Sequence, residues 1–167
     1  MDAFFGKNAD KYRYKHIVDA ISFIPYGVIV DEFQHIVYEN PNLTPAERKA
    51  EYLKLEKKYR PYLSFEGIPY LELGTRWQYQ MHIYESPFYY IDYCLAQCVA
   101  LGFLVLSREN FDGALEKYLD FVKSTGKVSF EKLVEGAGMK SPFGAGSLKE
   151  TADKTLRIIS ELETELF

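Results

Sequence analysis

Residues 88–106, FYYIDYCLAQCVALGFLVL, form an apolar and aromatic run interrupted only by Asp92 and Gln97. A helix that is apolar on nearly every side needs neighbours on nearly every side. The run therefore predicts a central buried helix near residues 87–106, with Pro87 suited to its first position. It is also about long enough to cross a bilayer. However, Asp92 near its start and Gln97 near its centre are costly in hydrocarbon, roughly 2.5 kcal/mol or more for a central Asp. A protein interior explains the same residues without that cost, so no membrane partner is expected.

The start of this helix carries the polar chemistry. At helical spacing Tyr90, Tyr93 and Gln97 share one face, and Tyr89, Asp92 and Ala96 share the adjoining one. His82 lies just before the Ser86-Pro87 turn, so an imidazole and several phenols can converge on one concave surface. A phenol is a neutral donor near pH 7 and can stabilise negative charge developing on a substrate oxygen. The competing reading is structural, because tyrosines in cores commonly bond backbone carbonyls and a lone His beside a helix more often supports the fold. Spacing alone favours the structural role.

Around this stretch the chain reads as helix after helix. A first helix over about Ala9–Ile24 carries Ile17, Ala20, Ile21 and Ile24 at helical intervals, and Pro25 is expected to interrupt it. A second over Tyr26–Tyr38 places Val30, Phe33 and Val37 on one side and stops at Asn40-Pro41. Thr44-Pro45-Ala46-Glu47 forms a capping box that opens a third helix running to about Arg60. Between Pro61 and Gly74 the rhythm breaks, predicting a long ordered loop with at most a short strand. Beyond the central helix, Glu109–Lys123 is amphipathic, with Leu115, Tyr118, Leu119 and Val122 at helical intervals. Ser129 caps a short helix to about Glu135. A last helix begins at Ser147 with a second capping box through Glu150, its buried stripe being Leu148, Ala152, Leu156, Ile159 and Leu162. The glycines of GAGMKSPFGAGS match no phosphate-binding spacing and read as a flexible connection. The expected fold is one all-α domain spanning residues 1–167.

Composition narrows the function classes. The chain is 47% hydrophobic and 26% charged, as a globular protein is, with 14 Tyr and 12 Phe. Such aromatic richness suits a lined cavity or an interface. A formal net charge of -4, with basic residues interleaved among acids, argues against a phosphate-binding face and hence against a nucleic-acid partner. Cys94 and Cys98 are the only cysteines and do not form a redox Cys-x-x-Cys. Together with a start lacking a basic region and a long apolar run, they predict a reducing, cytoplasmic setting.

The runs HIYES, PFYYIDYCLAQ and FIPYGVIVDEFQHIVYENP, with AGMKSPF further on, resemble the C-terminal part of oligoendopeptidase F, of the thimet-type zinc oligopeptidase family. The likeness extends from about Met1 to the last helix. It implies a zincin-type catalytic domain that hydrolyses short peptides. In that family zinc is bound by a His-Glu-x-x-His helix and a following Glu, which activate water. No His-Glu pair occurs here, and His16, His35 and His82 are too far apart to form such a ligand pair. The resemblance thus implies a portion following the metal-binding helices, inactive alone and supplying no metal ligand. By the same resemblance His82, Tyr90 and Tyr93 contact substrate and the tetrahedral intermediate, while Phe88 and Tyr89 line the substrate channel. Apolar surface left bare by the missing part would promote self-association. The alternative is a non-catalytic helical module that binds peptides or a protein partner through an aromatic groove.

Overall fold

At Thr44-Pro45-Ala46-Glu47 a helix begins as the residues dictate. In the computed structural model, which describes residues 1–166, the Thr44 side chain accepts from the Glu47 N–H and the Glu47 carboxylate accepts from the Thr44 N–H. The helix runs over Pro45–Tyr59. Among the described residues there is no strand, and the expected all-α class holds. The other long helices are Ala9–Glu39, Ile91–Glu109, Phe111–Ser124 and Ser147–Leu166. A single turn of helix at Pro69–Glu72 lies within the segment read as loop, and a 3-10 turn at Arg76–Tyr79 and a helical turn at His82–Glu85 follow it.

The expected break at Pro25 does not occur: Ala9–Glu39 is one continuous helix with Pro25 inside it. An interior proline forfeits a backbone hydrogen bond and crowds the preceding turn, at about 3 kcal/mol. Burial offsets that cost. Ile17 is buried before the proline, and Ile29, Val30 and Phe33 are fully buried after it. Each buried aliphatic or aromatic side chain contributes about 1.5–3 kcal/mol.

The chain divides into two compact units. The first comprises Met1–Ile21 and the chain from Leu95 onward, and its core is Ile17, Val105, Ile158 and Leu162, flanked by Tyr14, Leu104 and Ile159. Here the last helix presents a face rotated from the expected stripe. Leu162 is buried, but Leu148 and Leu156 are exposed while Thr155 and Ile158 are buried. Thr155 tolerates burial because its hydroxyl donates to the Thr151 carbonyl at 2.8 Å. The second capping box is also absent. Ser147 is the first helical residue and donates its hydroxyl to the Gly144 carbonyl, and Glu150 pairs with Lys140 at 2.7 Å. Ser129 precedes the Phe130–Gly136 helix as expected, without a side-chain cap bond.

The second unit, Ser22–Cys94, is built on Ile29, Val30, Phe33, Tyr52, Leu55, Trp77, Ile83 and Tyr90. Phe33 lies at its centre, 5.2 Å from the rings of both Tyr52 and Trp77. Glu56 is buried with Arg76 at 3.1 Å, a charge taken out of water with its counter-ion. Gly74 closes the loop at φ 73, where an added Cβ would meet the Lys49 carbonyl oxygen. Only glycine fits that approach.

The Ile91–Glu109 helix starts four residues later than Pro87, because the backbone at Phe88 turns to a positive φ of 61. Its burial is one-sided. Cys94, Val99, Leu101 and Val105 are buried, whereas Asp92, Tyr93, Ala96 and Ala100 are exposed. By length and composition it is the one helix among the described residues that could cross a membrane.

Candidate functional site

Two buried side chains pin the segment that carries His82. Trp77 on the 3-10 turn and Ile83 on the next helical turn both enter the core, fixing the path of residues 78–82 between them. Tyr38 adds a clasp by donating its hydroxyl to the Ile83 carbonyl at 3.1 Å. His82 is the first residue of the His82–Glu85 turn and is half-buried.

The connection to the next helix is held by Gln34, which is fully buried on the long helix. Its Oε1 accepts from the Phe88 N–H at 2.8 Å, and its Nε2 donates to the Val30 carbonyl at 3.2 Å. That bond holds Phe88 in the left-handed region, where a bulky residue is strained by about 1–2 kcal/mol. The consequence is a division of neighbouring rings. Phe88 turns to His35, at 4.8 Å, and Tyr38, at 5.3 Å. Tyr89, Tyr90 and Tyr93 turn to His82.

Ring centroids of Tyr90 and Tyr93 lie 5.0 and 5.6 Å from that of His82, both edge-on, and Tyr89 lies 6.4 Å away nearly parallel to it. Tyr93 also meets Tyr89 and Tyr90 at 5.5 and 5.3 Å. The sequence-based grouping of His82 with these tyrosines therefore has a common location, and Phe88 stands apart from it. His82 Nε2 and Tyr93 Oη are 3.5 Å apart. That is long for a hydrogen bond, so the two groups stand side by side with capacity left for a third polar atom. Tyr93 is 43% exposed and Tyr89 51%, whereas Tyr90 is buried.

Burial sets the electrostatics of Tyr90. Desolvation, reinforced by the neighbouring Tyr26 phenol, pushes its pKa up to about 12. It remains a neutral donor through any ordinary pH. Behind it, Phe23 and Tyr26 pack at 5.9 Å each.

Two groups that local pattern did not single out complete the arrangement. Gln80 Nε2 lies 2.8 Å from His82 Nδ1, and the Tyr26 hydroxyl donates to Gln80 Oε1 at 2.7 Å. Gln80 stands two residues before His82 in WQYQMHIYES, which is its only sequence signal. Tyr26 and Gln34 come from a distant helix; both lie in the FIPYGVIVDEFQHIVYENP run, but no local spacing ties them to His82.

A metal does not fit the groups that are present. Among the described residues no cluster of three His, Cys, Asp or Glu side chains is placed to hold one. Cys94 and Cys98 are not joined by a disulfide.

No protein-family model matches the chain, and no curated protein matches it. Solved structures do. An oligoendopeptidase F structure and a PZ peptidase A solved with an inhibitor are each 46% identical with a TM-score of 0.90. Both align over 96% of this chain, which covers 28% and 29% of theirs. An oligoendopeptidase F from Bacillus anthracis is 40% identical over 98% of this chain and 25% of its own, with a TM-score of 0.75. The chain thus spans between a quarter and a third of the length of the structures it matches.

Proposed function

This chain belongs to the oligoendopeptidase F family, and from that premise we propose that it forms the substrate-facing part of a peptidase site for short peptides. His82, Tyr90 and Tyr93 are the donors that hold the carbonyl oxygen of the scissile peptide as charge builds on it. The observation that carries this reading is their convergence: His82 Nε2 and Tyr93 Oη lie 3.5 Å apart on an exposed surface, with the Tyr90 ring 5.3 Å behind Tyr93. Well-aligned donors of this kind are worth about 3–4 kcal/mol. Tyr89, exposed and parallel to His82, lines the peptide path beside them. Phe88 lines it on the side of His35 and Tyr38.

The zinc implied by the family has no ligand set among these residues, so the chain's part is confined to binding and charge stabilisation. Acting by itself it does not hydrolyse peptides. Residues 1–167 are then a C-terminal portion of a catalytic domain working in the cytoplasm, on peptides rather than on nucleic acid or a bilayer. The net charge of -4, with lysines paired to acids as in Lys149–Asp153 and Lys54–Glu51, argues against a basic face for nucleic acid.

The test places this chain in the corresponding segment of an active oligoendopeptidase F relative and replaces Tyr93 by Phe. A fall in kcat of about 10²–10³-fold with little change in KM is expected, the signature of an interaction made in the transition state. Unchanged turnover removes Tyr93 from the chemistry. Peptide binding at Tyr90 without any such effect on turnover favours the non-catalytic binding module instead.

A further inference from the structure

The direction in which one amide faces decides whether His82 offers a proton or takes one. Gln80 sits between Tyr26 and His82, with 2.7 Å on its Oε1 side and 2.8 Å on its Nε2 side. A glutamine amide can only accept through its oxygen and only donate through its nitrogen. Its orientation therefore transmits the role of one neighbour to the other.

Tyr26 sets that orientation. Its ring is held edge-on against Tyr90 at 5.9 Å and tilted against Phe23 at 6.5 Å. The guanidinium carbons of Arg60 and Arg76 lie 5.7 and 5.5 Å from its ring centroid. Two cations beside a phenol draw its electron density toward them and favour the hydroxyl as donor over acceptor. The Tyr26 hydroxyl then points its proton at Gln80 Oε1, and the amide NH2 faces the imidazole. The nitrogen it faces, Nδ1, must be bare, so the one proton of a neutral ring sits on Nε2.

We propose that Gln80, oriented by Tyr26, is a positioning residue that holds His82 as the Nε2–H tautomer and so presents a ring donor beside the Tyr93 hydroxyl. The reverse orientation would place the proton on Nδ1 and leave Nε2 as an acceptor, a base where the site needs a donor. All of these groups lie within the Ser22–Cys94 unit. The catalytic meaning of the tautomer rests on the function proposed above, whereas the tautomer itself does not.

The experiment is a long-range 1H–15N correlation of the histidine rings in the 15N-labelled 167-residue chain, at about pH 8.5, well above the ordinary imidazole range near ~6.5. His82 is identified by the signals lost in His82→Gln. The Nε2–H pattern is expected in the unsubstituted chain. Gln80→Glu, whose carboxylate only accepts, should convert the ring to the Nδ1–H or doubly protonated form. Tyr26→Phe, which removes the orienting hydroxyl, should give a mixture of tautomers. An Nδ1–H ring in the unsubstituted chain overturns the proposal, as does an unchanged tautomer in Gln80→Glu. An Nε2–H ring in a chain whose Tyr93→Phe variant keeps full turnover after transplantation leaves this inference standing and removes the proposed function.

Discussion

Tyr90 shows what burial does to a single group and how that becomes a pH dependence. Its phenol ionises near about 12 in the folded chain, mainly through desolvation, and near ~10 when unfolded. A raised folded value means that the folded state keeps a proton which the unfolded state has released. The associated stability is therefore fully present below pH ~10 and is lost as pH rises toward the folded value. Tyr90→Phe keeps the ring packed on Phe23 and Tyr26 but has no proton to lose. Its unfolding free energy should decline less steeply than that of the parent between about pH 10 and 12, measured by urea denaturation at fixed temperature. Parallel curves would show that the Tyr90 hydroxyl is solvated. At the same scale the Phe88 backbone explains why neighbouring aromatics separate: with φ at 61 and its N–H on Gln34, Phe88 faces the long helix while Tyr89 and Tyr90 face His82.

Among the elements, the long helix and the start of the Ile91–Glu109 helix approach each other across a glycine. A Cβ on Gly27 would collide with Cys94 Sγ, and the thiol itself lies 3.8 Å from the Ile24 carbonyl. Overpacking of this kind costs about 1–3 kcal/mol. Gly27→Ala should therefore lower stability by about that amount, although alanine is otherwise the better helix former by roughly 1 kcal/mol. In a Cys94→Ala background the obstruction is gone, and Gly27→Ala should become neutral or stabilising by up to about 1 kcal/mol. Additive effects in the double-mutant cycle would show that the thiol does not set the approach. The same contact gives the Ile91–Glu109 helix a reason to lie against protein, since Cys94 and Tyr90 are both buried on that side.

For the whole molecule, what is uncovered matters as much as what is packed. On the Phe111–Ser124 helix Leu115, Tyr118, Leu119 and Val122 lie at i, i+3, i+4 and i+7, and all are exposed. An apolar stripe of this kind favours association. Light scattering should show a mass that rises with concentration, and Leu119→Lys combined with Val122→Lys should shift the rise to higher concentration. A constant monomer mass over a wide range would refute this. Because the chain spans only between a quarter and a third of the related structures, we propose that such surface is covered in a longer protein.

The residues alone determined what depends on near neighbours. Thr44 to Glu47 cap a helix as their types and spacing call for, helical spacing made the chain all-α, and HIYESPFYYIDY placed an imidazole within reach of a tyrosine-rich helix start. These signals act over one or two turns, where backbone geometry leaves few alternatives. Tertiary packing decided the rest. Pro25 stays inside a helix because buried side chains on both sides of it offset a lost hydrogen bond. The last helix buries Thr155 and Ile158 rather than Leu148 and Leu156 because the available neighbours lie on that face. Gln80 meets a tyrosine 54 residues earlier, a juxtaposition that no local pattern encodes. It exists only once Trp77 and Ile83 have entered their core, which is why His82 and the nearby tyrosines could be grouped from their spacing and the amide that meets His82 could not.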